Sequence, residues 1–392
     1  MRRAISSADG EPIDHGLVAF FEGPNSFTGE DCAEFHIHGG RAVVAAVLAR
    51  LSGLRGFRQA EAGEFTKRAF VNGKLDLTGA EALSDLILAE TELQRRLAQS
   101  NADGRQAMLY AGWRQQLVHA RALIEAEFDF SDEADVPGSV SPTVWSDMRE
   151  LRLAMERHLR LFETAEIVRD GLRVVILGAP NAGKSSLLNS LAGRDVAIVT
   201  DEPGTTRDVL EVSLDLLGAK VVLSDTAGLR DQPGRVEAIG IERAQAAARA
   251  AHLVLRLEDL AAPSPVEVPG GVEVLTVGTK ADLVVGDTSG AYDVIVSVRS
   301  GQGIDDLISR VAAFAAERAR PVAEGAVPTR QRHVDLVVAA VAGLKEALDD
   351  GLALELRAEG LRVAGDCIGR LTGEISPEEV LGEIFAAFCI GK

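Results

Sequence analysis

The chain has 392 residues, 46% of them apolar and 26% charged, with a formal net charge of −18. This suits two or three soluble globular domains: no apolar run reaches the about 18 residues of a membrane span, and the acidic balance excludes broad electrostatic adhesion to nucleic acid or an anionic membrane. Its three cysteines, Cys32, Cys367 and Cys389, form no CxxC pair and no metal-ligand spacing, and Met1-Arg-Arg-Ala4 continues into polar residues rather than a signal-peptide core, so the sequence reads as cytoplasmic.

Residues 1–78 mix short strand patterns with glycine turns. Leu17 to Phe21 and Ala33 to Ile37 read as strands, Gly23-Pro24-Asn25 as a turn and Ala42 to Leu51 as a helix, which together make a small α+β module. Arg2 to Ser6 resembles the tail of an element with nothing before it to pair. Between Arg41 and Leu75, Arg41, Arg50, Arg55, Arg58, Lys67, Arg68 and Lys74 stand against only Glu61 and Glu64. That segment reads equally as a place to meet phosphate and as a solvated surface.

From about Gly79 the periodicity becomes helical. Leu83, Leu86, Leu93 and Leu97 predict one apolar face, Trp113, Leu117, Ala120 and Ile124 a second, and Val144, Met148, Leu151, Met155, Leu159 and Phe162 the longest. Phe128 to Asp135 and Pro137-Gly138 break the pattern. It returns after Ala326 with Val334, Val337, Val341, Leu344 and Leu348, then Leu381, Ile384, Phe385 and Phe388. These stripes read as core. They flank residues 171–320, which predicts a discontinuous helical domain, 79–170 and 321–392, carrying an inserted nucleotide domain. Arg169-Asp-Gly171 and Arg320 to Gly325 read as the linkers.

The inserted segment carries the chemistry. An apolar run, Leu172 to Leu177, leads into Gly178-Ala-Pro-Asn181-Ala182-Gly183-Lys184-Ser185, and Ser186 to Leu191 continues as a helix. In strand, glycine loop and helix, the backbone N–H groups can cradle a phosphate, Lys184 can reach its oxygens, and Ser185 can offer a hydroxyl to Mg²⁺. Gly204-Thr205-Thr206-Arg207-Asp208 follows, with a Thr able to complete the Mg²⁺ shell. Then comes Asp225-Thr226-Ala227-Gly228, an acid for the metal's outer shell and a glycine N–H for the γ-phosphate. Thr279-Lys280-Ala281-Asp282 places a carboxylate that accepts from two guanine N–H groups adenine lacks, and Ser297-Val298-Arg299 stands as a base-capping loop.

In this order the elements resemble the five boxes of a Ras-like GTPase, so GTP is expected rather than ATP. Thr279 stands where the fourth box usually has Asn, as in Rho-type GTPases, predicting a weakened guanine preference. Val298 replaces the usual Ala of the fifth box. Leu229 stands where Ras-like enzymes place a water-orienting Gln, so hydrolysis must recruit another polar group and another positive charge. The candidates are Glu237, also readable as a plain helix-start carboxylate, and a monovalent cation near Asn181 and the Thr200 to Thr205 loop.

Longer motifs extend the likeness. Gly178 to Asn189, Ala197-Ile-Val-Thr-Asp201, Gly204 to Asp208, Asp225 to Arg230, Pro24 to Asp31, His38-Gly39-Gly40, Gly63 to Phe70, Gly73 to Leu77 and Phe388-Cys-Ile-Gly-Lys392 resemble the MnmE (TrmE) family of tRNA modification GTPases across essentially the whole chain. The resemblance implies an N-terminal tetrahydrofolate-binding and dimerisation domain over 1–78, the helical domain over 79–170 and 321–392, and a Ras-like G domain over 171–320. It implies GTP contacts at Asn181, Ala182, Gly183, Lys184, Ser185, Ser186, Thr200, Thr205, Thr206, Asp225, Thr226, Ala227, Gly228, Thr279, Lys280, Asp282, Ser297, Val298 and Arg299. Mg²⁺ falls to Ser185 and Thr206, and K⁺ to Asn181, Thr200, Glu202 and Thr205, in the role an arginine finger plays elsewhere. Glu237 orients water. Folate, as a 5-formyl or 5,10-methylene derivative, maps to Glu34, Lys74 and Lys392, with Cys389 the functional cysteine beside it.

The same resemblance implies a homodimer, a heterotetramer with an FAD-containing MnmG (GidA) partner, and tRNA as substrate. The product is 5-(carboxymethyl)aminomethyluridine at wobble position 34. The family has a further strand-bearing segment ahead of the point where Met1 falls, including an arginine used on folate, so the first domain is expected to be shortened at its start. The competing reading is a GTP-gated RNA-binding or ribosome-assembly GTPase of Era or EngA type. The terminal Cys389-Ile-Gly-Lys392 and the Gly63 to Leu77 motif favour the first reading.

Overall fold

The computed structural model describes residues 2–129, 141–198, 211–225, 237–284, 290–320 and 325–374. The chain divides into two compact units, Met1–Ser84 with Asn101–Arg149 and Ala339–Lys392, and Asp85–Ser100 with Glu150–Val338. Residues 1–78 fall wholly in the first and 171–320 wholly in the second.

The first unit opens with an antiparallel sheet, β1 (Arg2–Ser6), β2 (Pro12–Phe21) and β3 (Cys32–His36), in that spatial order. Arg2 to Ser6 pairs with the strand that follows it: Arg2 lies opposite Leu17 and Ser6 opposite Pro12. The turn that returns the chain is closed by Ser7 N–H to Glu11 O at 2.8 Å and Glu11 N–H to Ser7 Oγ at 3.1 Å. Helices α1 (Arg41–Ser52) and α2 (Glu64–Val71) follow. Leu17 and Phe20 remain 54% and 66% exposed, so apolar side chains project from both faces of the sheet.

Helix α3 (Leu77–Leu88) starts where Asp76 Oδ1 accepts from Thr78 Oγ1 and Gly79 N–H. The leucine stripe expected to run on through Leu93 is cut in two. Thr91-Glu-Leu-Gln94 forms a capping box in which Gln94 Oε1 accepts from the N–H groups of Glu90 and Thr91, so a separate helix, α4 (Glu92–Ala102), begins there. On α5 (Arg105–Asp129) the predicted stripe of Trp113, Leu117, Ala120 and Ile124 is buried. On α6 (Ser141–Leu159) Val144, Met148, Leu151 and Met155 are buried as expected, but His158 rather than Leu159 takes the last inward position. Phe162 opens the next helix, α7 (Phe162–Asp170).

The second unit is built on a six-stranded sheet. Strands β4 (Leu172–Gly178), β5 (Glu211–Leu216), β6 (Ala219–Asp225), β7 (Leu253–Asp259), β8 (Glu273–Thr279) and β9 (Val294–Ile295) lie in the order β5-β6-β4-β7-β8-β9. Only the β5–β6 pair is antiparallel. Both faces of β4 are covered, which is why it reads as a nearly unbroken apolar run. Leu172, Val174 and Ile176 join a core with α8 (Lys184–Ala192) and α10 (Ile304–Ala319), while Val175 and Leu177 meet Ala244, Ala247 and Ala248 of α9 (Glu237–Ala250). This is a doubly wound Ras-like sheet. Its register sets Ile176 beside Asp225, Gly178 beside Leu257 and Asp259 beside Thr279, so the polar strand ends gather at one edge.

Arg169, the first residue of the predicted linker Arg169-Asp-Gly171, is held by several contacts. Its guanidinium pairs with Asp170 and bonds Thr329 O, and its own carbonyl accepts from Gln94 Nε2 at 2.7 Å. The last helices are α11 (Gln331–Ala347) and α12 (Leu354–Thr372). They approach so closely that a Cβ on Gly343 would stand 2.8 Å from Gly360 O. The α12 stripe of Leu361, Ala364, Ile368 and Leu371 is buried although three glycines interrupt its sequence pattern. Arg357, set 3.9 Å over the Trp145 ring, donates to Ala347 O at 2.8 Å and ties the first unit's helices together. The predicted break at Phe128 to Gly138 and the final stripe from Leu381 lie outside the described residues.

Candidate functional site: a phosphate loop and a base-reading carboxylate

The loop begins where β4 runs out of room. Gly178 packs so closely on β7 that a Cβ would stand 2.6 Å from Leu257 O. Asn181 and Gly183 then take left-handed conformations, φ 64° and 91°, turning the chain back into α8. No side chain caps that helix, so its leading N–H groups stay available to an anion. Lys184, 7% exposed, folds its ammonium over the loop and donates to Gly178 O and Ala179 O, both at 2.8 Å. Ser185 Oγ donates to Asp225 Oδ2 at 2.7 Å, and Asp225 is fully buried at the end of β6. A hydroxyl and a carboxylate at hydrogen-bond distance are hard oxygen donors that fit Mg²⁺.

Across the same sheet edge, Thr279 closes β8 and is 3% exposed. Its hydroxyl reaches Ala182 O at 2.8 Å and Glu258 O at 3.2 Å, joining β8 to the phosphate loop. Lys280 follows in the left-handed region and donates to Asp259 Oδ2 at 2.6 Å. Burial pushes the Asp259 carboxyl up, but Lys280 and the Ala261 N–H outweigh it and hold it below the usual range. Asp282, in the 3₁₀ turn Ala281–Leu283, accepts from Ser297 Oγ at 2.6 Å. Ser297 accepts in turn from Ser300 N–H at 3.2 Å. Val298 packs against the sheet core, whereas Arg299 is exposed.

The glycine loop, the Ser185–Asp225 pair and the Ser297–Asp282 pair therefore gather at the carboxyl ends of four neighbouring strands. Sequence reasoning missed three supports: Asp259 as partner of Lys280, the strap from Thr279 to Ala182, and Ser297 as the clamp on Asp282. An acid closing the β7 pattern one strand before Thr279-Lys280 was the available signal for the first; the other two depend on through-space geometry. Thr200, Glu202, Thr205, Thr206, Thr226, Ala227, Gly228, Leu229, Cys389 and Lys392 lie outside the described residues. Asn181 sits exposed in the loop and Ser186 exposed on the first turn of α8. Glu237 begins α9.

In the first unit Glu34 lies on β3, its carboxylate 3.3 Å from His36 Nε2, and Lys74 donates to Pro24 O at 2.9 Å. No hydrogen bond or ion pair joins Glu34 to Lys74. A cavity of about 360 Å³ nearby is lined by Thr28, Cys32, Phe57, Arg58, Glu64 and Arg68 among others, and by neither Glu34 nor Lys74. Two cations of the basic segment are neutralised by carboxylates. Arg58 and Arg68 are both paired to Glu64, and Arg68 also to Glu30. Arg58 foremost, then the Glu61 N–H and Arg68, hold the Glu64 carboxyl at about 2. Arg41 and Arg50 are half a turn out of phase on α1.

Among the described residues no helix is long and apolar enough to cross a membrane. Residues 77–389 match the family model described as MnmE helical domain, and residues 1–74 the model described as GTP-binding protein TrmE N-terminus. The tRNA modification GTPase MnmE of Chelativorans sp. is 56% identical over 390 residues, covering 99% of this chain and 88% of that protein. The protein of the same name from Mesorhizobium japonicum is 56% identical over 396 residues, covering 100% and 89%. Among solved structures, the G domain of the T. maritima FeoB iron transporter matches with 23% identity and a TM-score of 0.29, covering 37% of this chain and 98% of that one.

Proposed function

The chain belongs to the MnmE family of tRNA modification GTPases, and from that premise we propose that it binds and hydrolyses GTP at the β4–α8 loop to drive the modification of tRNA. The carrying observation is that one sheet edge holds both Lys184 within a phosphate-sized loop and Asp282, clamped by Ser297. A fixed carboxylate accepts from the N1–H and N2–H₂ of guanine and repels the acceptor edge of adenine. Asn181 to Ser186 take the phosphates, Thr279 to Asp282 and Ser297 to Arg299 the base side. Ser185 and Thr206 hold Mg²⁺, with Asp225 behind Ser185; the ion would neutralise charge between the phosphates.

K⁺, held by Asn181, Thr200, Glu202 and Thr205, supplies the positive charge that Leu229 leaves to be found elsewhere, and Glu237 orients the attacking water. The three-domain division, 1–78, 79–170 with 321–392, and 171–320, is part of the same reading, as is a cytoplasmic location. So is use of a tetrahydrofolate one-carbon unit at Glu34, Lys74 and Lys392, with Cys389 beside it. A homodimer working with an FAD-containing partner of MnmG type would place the (carboxymethyl)aminomethyl group on the wobble uridine. The direct test is phosphate release from GTP and from ATP by the purified chain with Mg²⁺ and KCl. GTP should be consumed and ATP spared; equal turnover of both, or none of GTP, would overturn the reading.

A further inference from the structure

The turns after α1 and the start of α2 hold two aromatic rings at one cavity. Leu54 N–H to Leu51 O at 3.0 Å and Phe57 N–H to Leu54 O at 3.1 Å wind the chain through two successive turns, with Gly56 in the left-handed region at φ 87° in the second. Phe57 is left 58% exposed. Phe65 stands in the first turn of α2, 41% exposed, and both rings line the cavity of about 360 Å³, a volume at the small end of ligand sites.

The charges around this cavity are already paired. Arg58 gives its terminal N–H groups to Gln59 O and to both oxygens of Glu64, at 2.8, 2.7 and 2.8 Å, and Arg68 reaches Glu64 Oε1 and Glu30 Oε2, both at 2.8 Å. Guanidinium forks turned to carboxylates have little left for a phosphate, and with Glu30, Asp31 and Glu64 set against two arginines the lining favours no anion. What stays open to a ligand is flat: two exposed phenyl rings, and the planes of two half-exposed guanidinium side chains held by their partners. Aromatic rings and guanidinium planes are the surfaces on which unpaired RNA bases stack.

We infer that this cavity takes an unpaired base of the tRNA anticodon loop by stacking, and that this base is a neighbour of the reacting uridine rather than the uridine itself. The inference rests on the reading of the chain as a tRNA-modifying enzyme and deepens it by naming a contact with the RNA. Glu34 and Lys74, proposed above to hold the one-carbon donor, do not line the cavity, so a base seated here stands away from that donor. Enzymes that work on one base commonly fix the flanking nucleotides as well. A chain of net charge −18 gains little from phosphates, and a stacking contact does not need them.

The test is binding of a fluorescent tRNA anticodon stem–loop to the full chain, followed by anisotropy, with an abasic residue placed in turn at each loop position. Phe57→Leu and Phe65→Leu, which keep bulk but lose the ring, should each weaken binding by about tenfold, while Phe57→Trp stays within about twofold of the unaltered chain. GTP turnover should not change in any of the three. One abasic position beside the wobble base should cost the unaltered chain about tenfold and cost Phe65→Leu nothing further. Leucine variants that bind like the unaltered chain, or an abasic loss confined to the wobble base, would overturn the inference. So would loss of 5-formyl-tetrahydrofolate binding in the leucine variants, which would give the cavity to the pterin. An unaltered chain that binds no stem–loop would overturn it too, and would leave the GTP reading to its own test of phosphate release. The abasic series on the unaltered chain decides the matter even where a variant fails to fold.

Discussion

The Ser297 hydroxyl donates a 2.6 Å hydrogen bond to Asp282 Oδ1, so the loop after β9 aims the carboxylate on the turn after β8. Two segments fifteen residues apart are thus joined at the end proposed to take the base. Ser297→Ala should free the carboxylate and weaken GTP binding by about fivefold, measured by titration of a fluorescent GTP analogue. Asp282→Asn exchanges an acceptor for a donor. GTP affinity should fall by about a hundredfold or more while XTP, whose O2 accepts where guanine donates, gains. Retention of the GTP-over-XTP preference in Asp282→Asn would contradict this role.

Glu237 heads α9, and Leu229 leaves hydrolysis without the usual polar group. Glu237→Ala should slow GTP turnover by about a hundredfold while shifting GTP affinity by no more than about twofold. A matching loss of affinity would make the residue structural.

If K⁺ fills the role proposed for it beside Leu229, turnover depends on the salt. Steady-state GTP hydrolysis in KCl should exceed that in NaCl at equal ionic strength by about tenfold or more. Equal rates in the two salts would remove K⁺ from the account.

His158 is buried on α6, and desolvation foremost, then the nearby His333, lowers its pKa from 6.5 to about 4 against the opposing hydrogen bond with Ala326. A lowered histidine is neutral in the fold and protonates more readily once unfolded, so its contribution is complete above pH 6.5 and is lost as pH falls toward 4. The full difference is about 3 kcal/mol. Thermal unfolding followed across that range should show a shallower decline for His158→Gln than for the unaltered chain. Parallel curves would mean the histidine does not titrate in this window.

Local patterns carried much of this fold in the sequence. The β4 run, the glycine loop and the α5 stripe rest on near-neighbour spacing, and each stands where its residues indicated. Contacts between distant residues were not legible. The split between α3 and α4 depends on Gln94 reaching back to Thr91 inside an otherwise continuous helical pattern. The α12 stripe was masked by three glycines, of which Gly360 serves close packing against α11. In the site, Thr279 read from sequence as the source of a weakened guanine preference, and the bond from its hydroxyl to the phosphate loop was not legible. That bond follows from the meeting of β7, β8 and the loop, which no single motif encodes.

The most direct measurement is nucleoside analysis of tRNA from cells whose only copy of this protein carries Lys184→Ala, beside cells with the unaltered copy. Loss of the ammonium held at 2.8 Å over the loop should abolish GTP turnover, lowering it by about a hundredfold or more. The account predicts that modified wobble uridine then disappears from bulk tRNA. Undiminished modified uridine in a strain where the variant protein is present and GTPase-dead would contradict the claim that GTP hydrolysis by this chain drives tRNA modification.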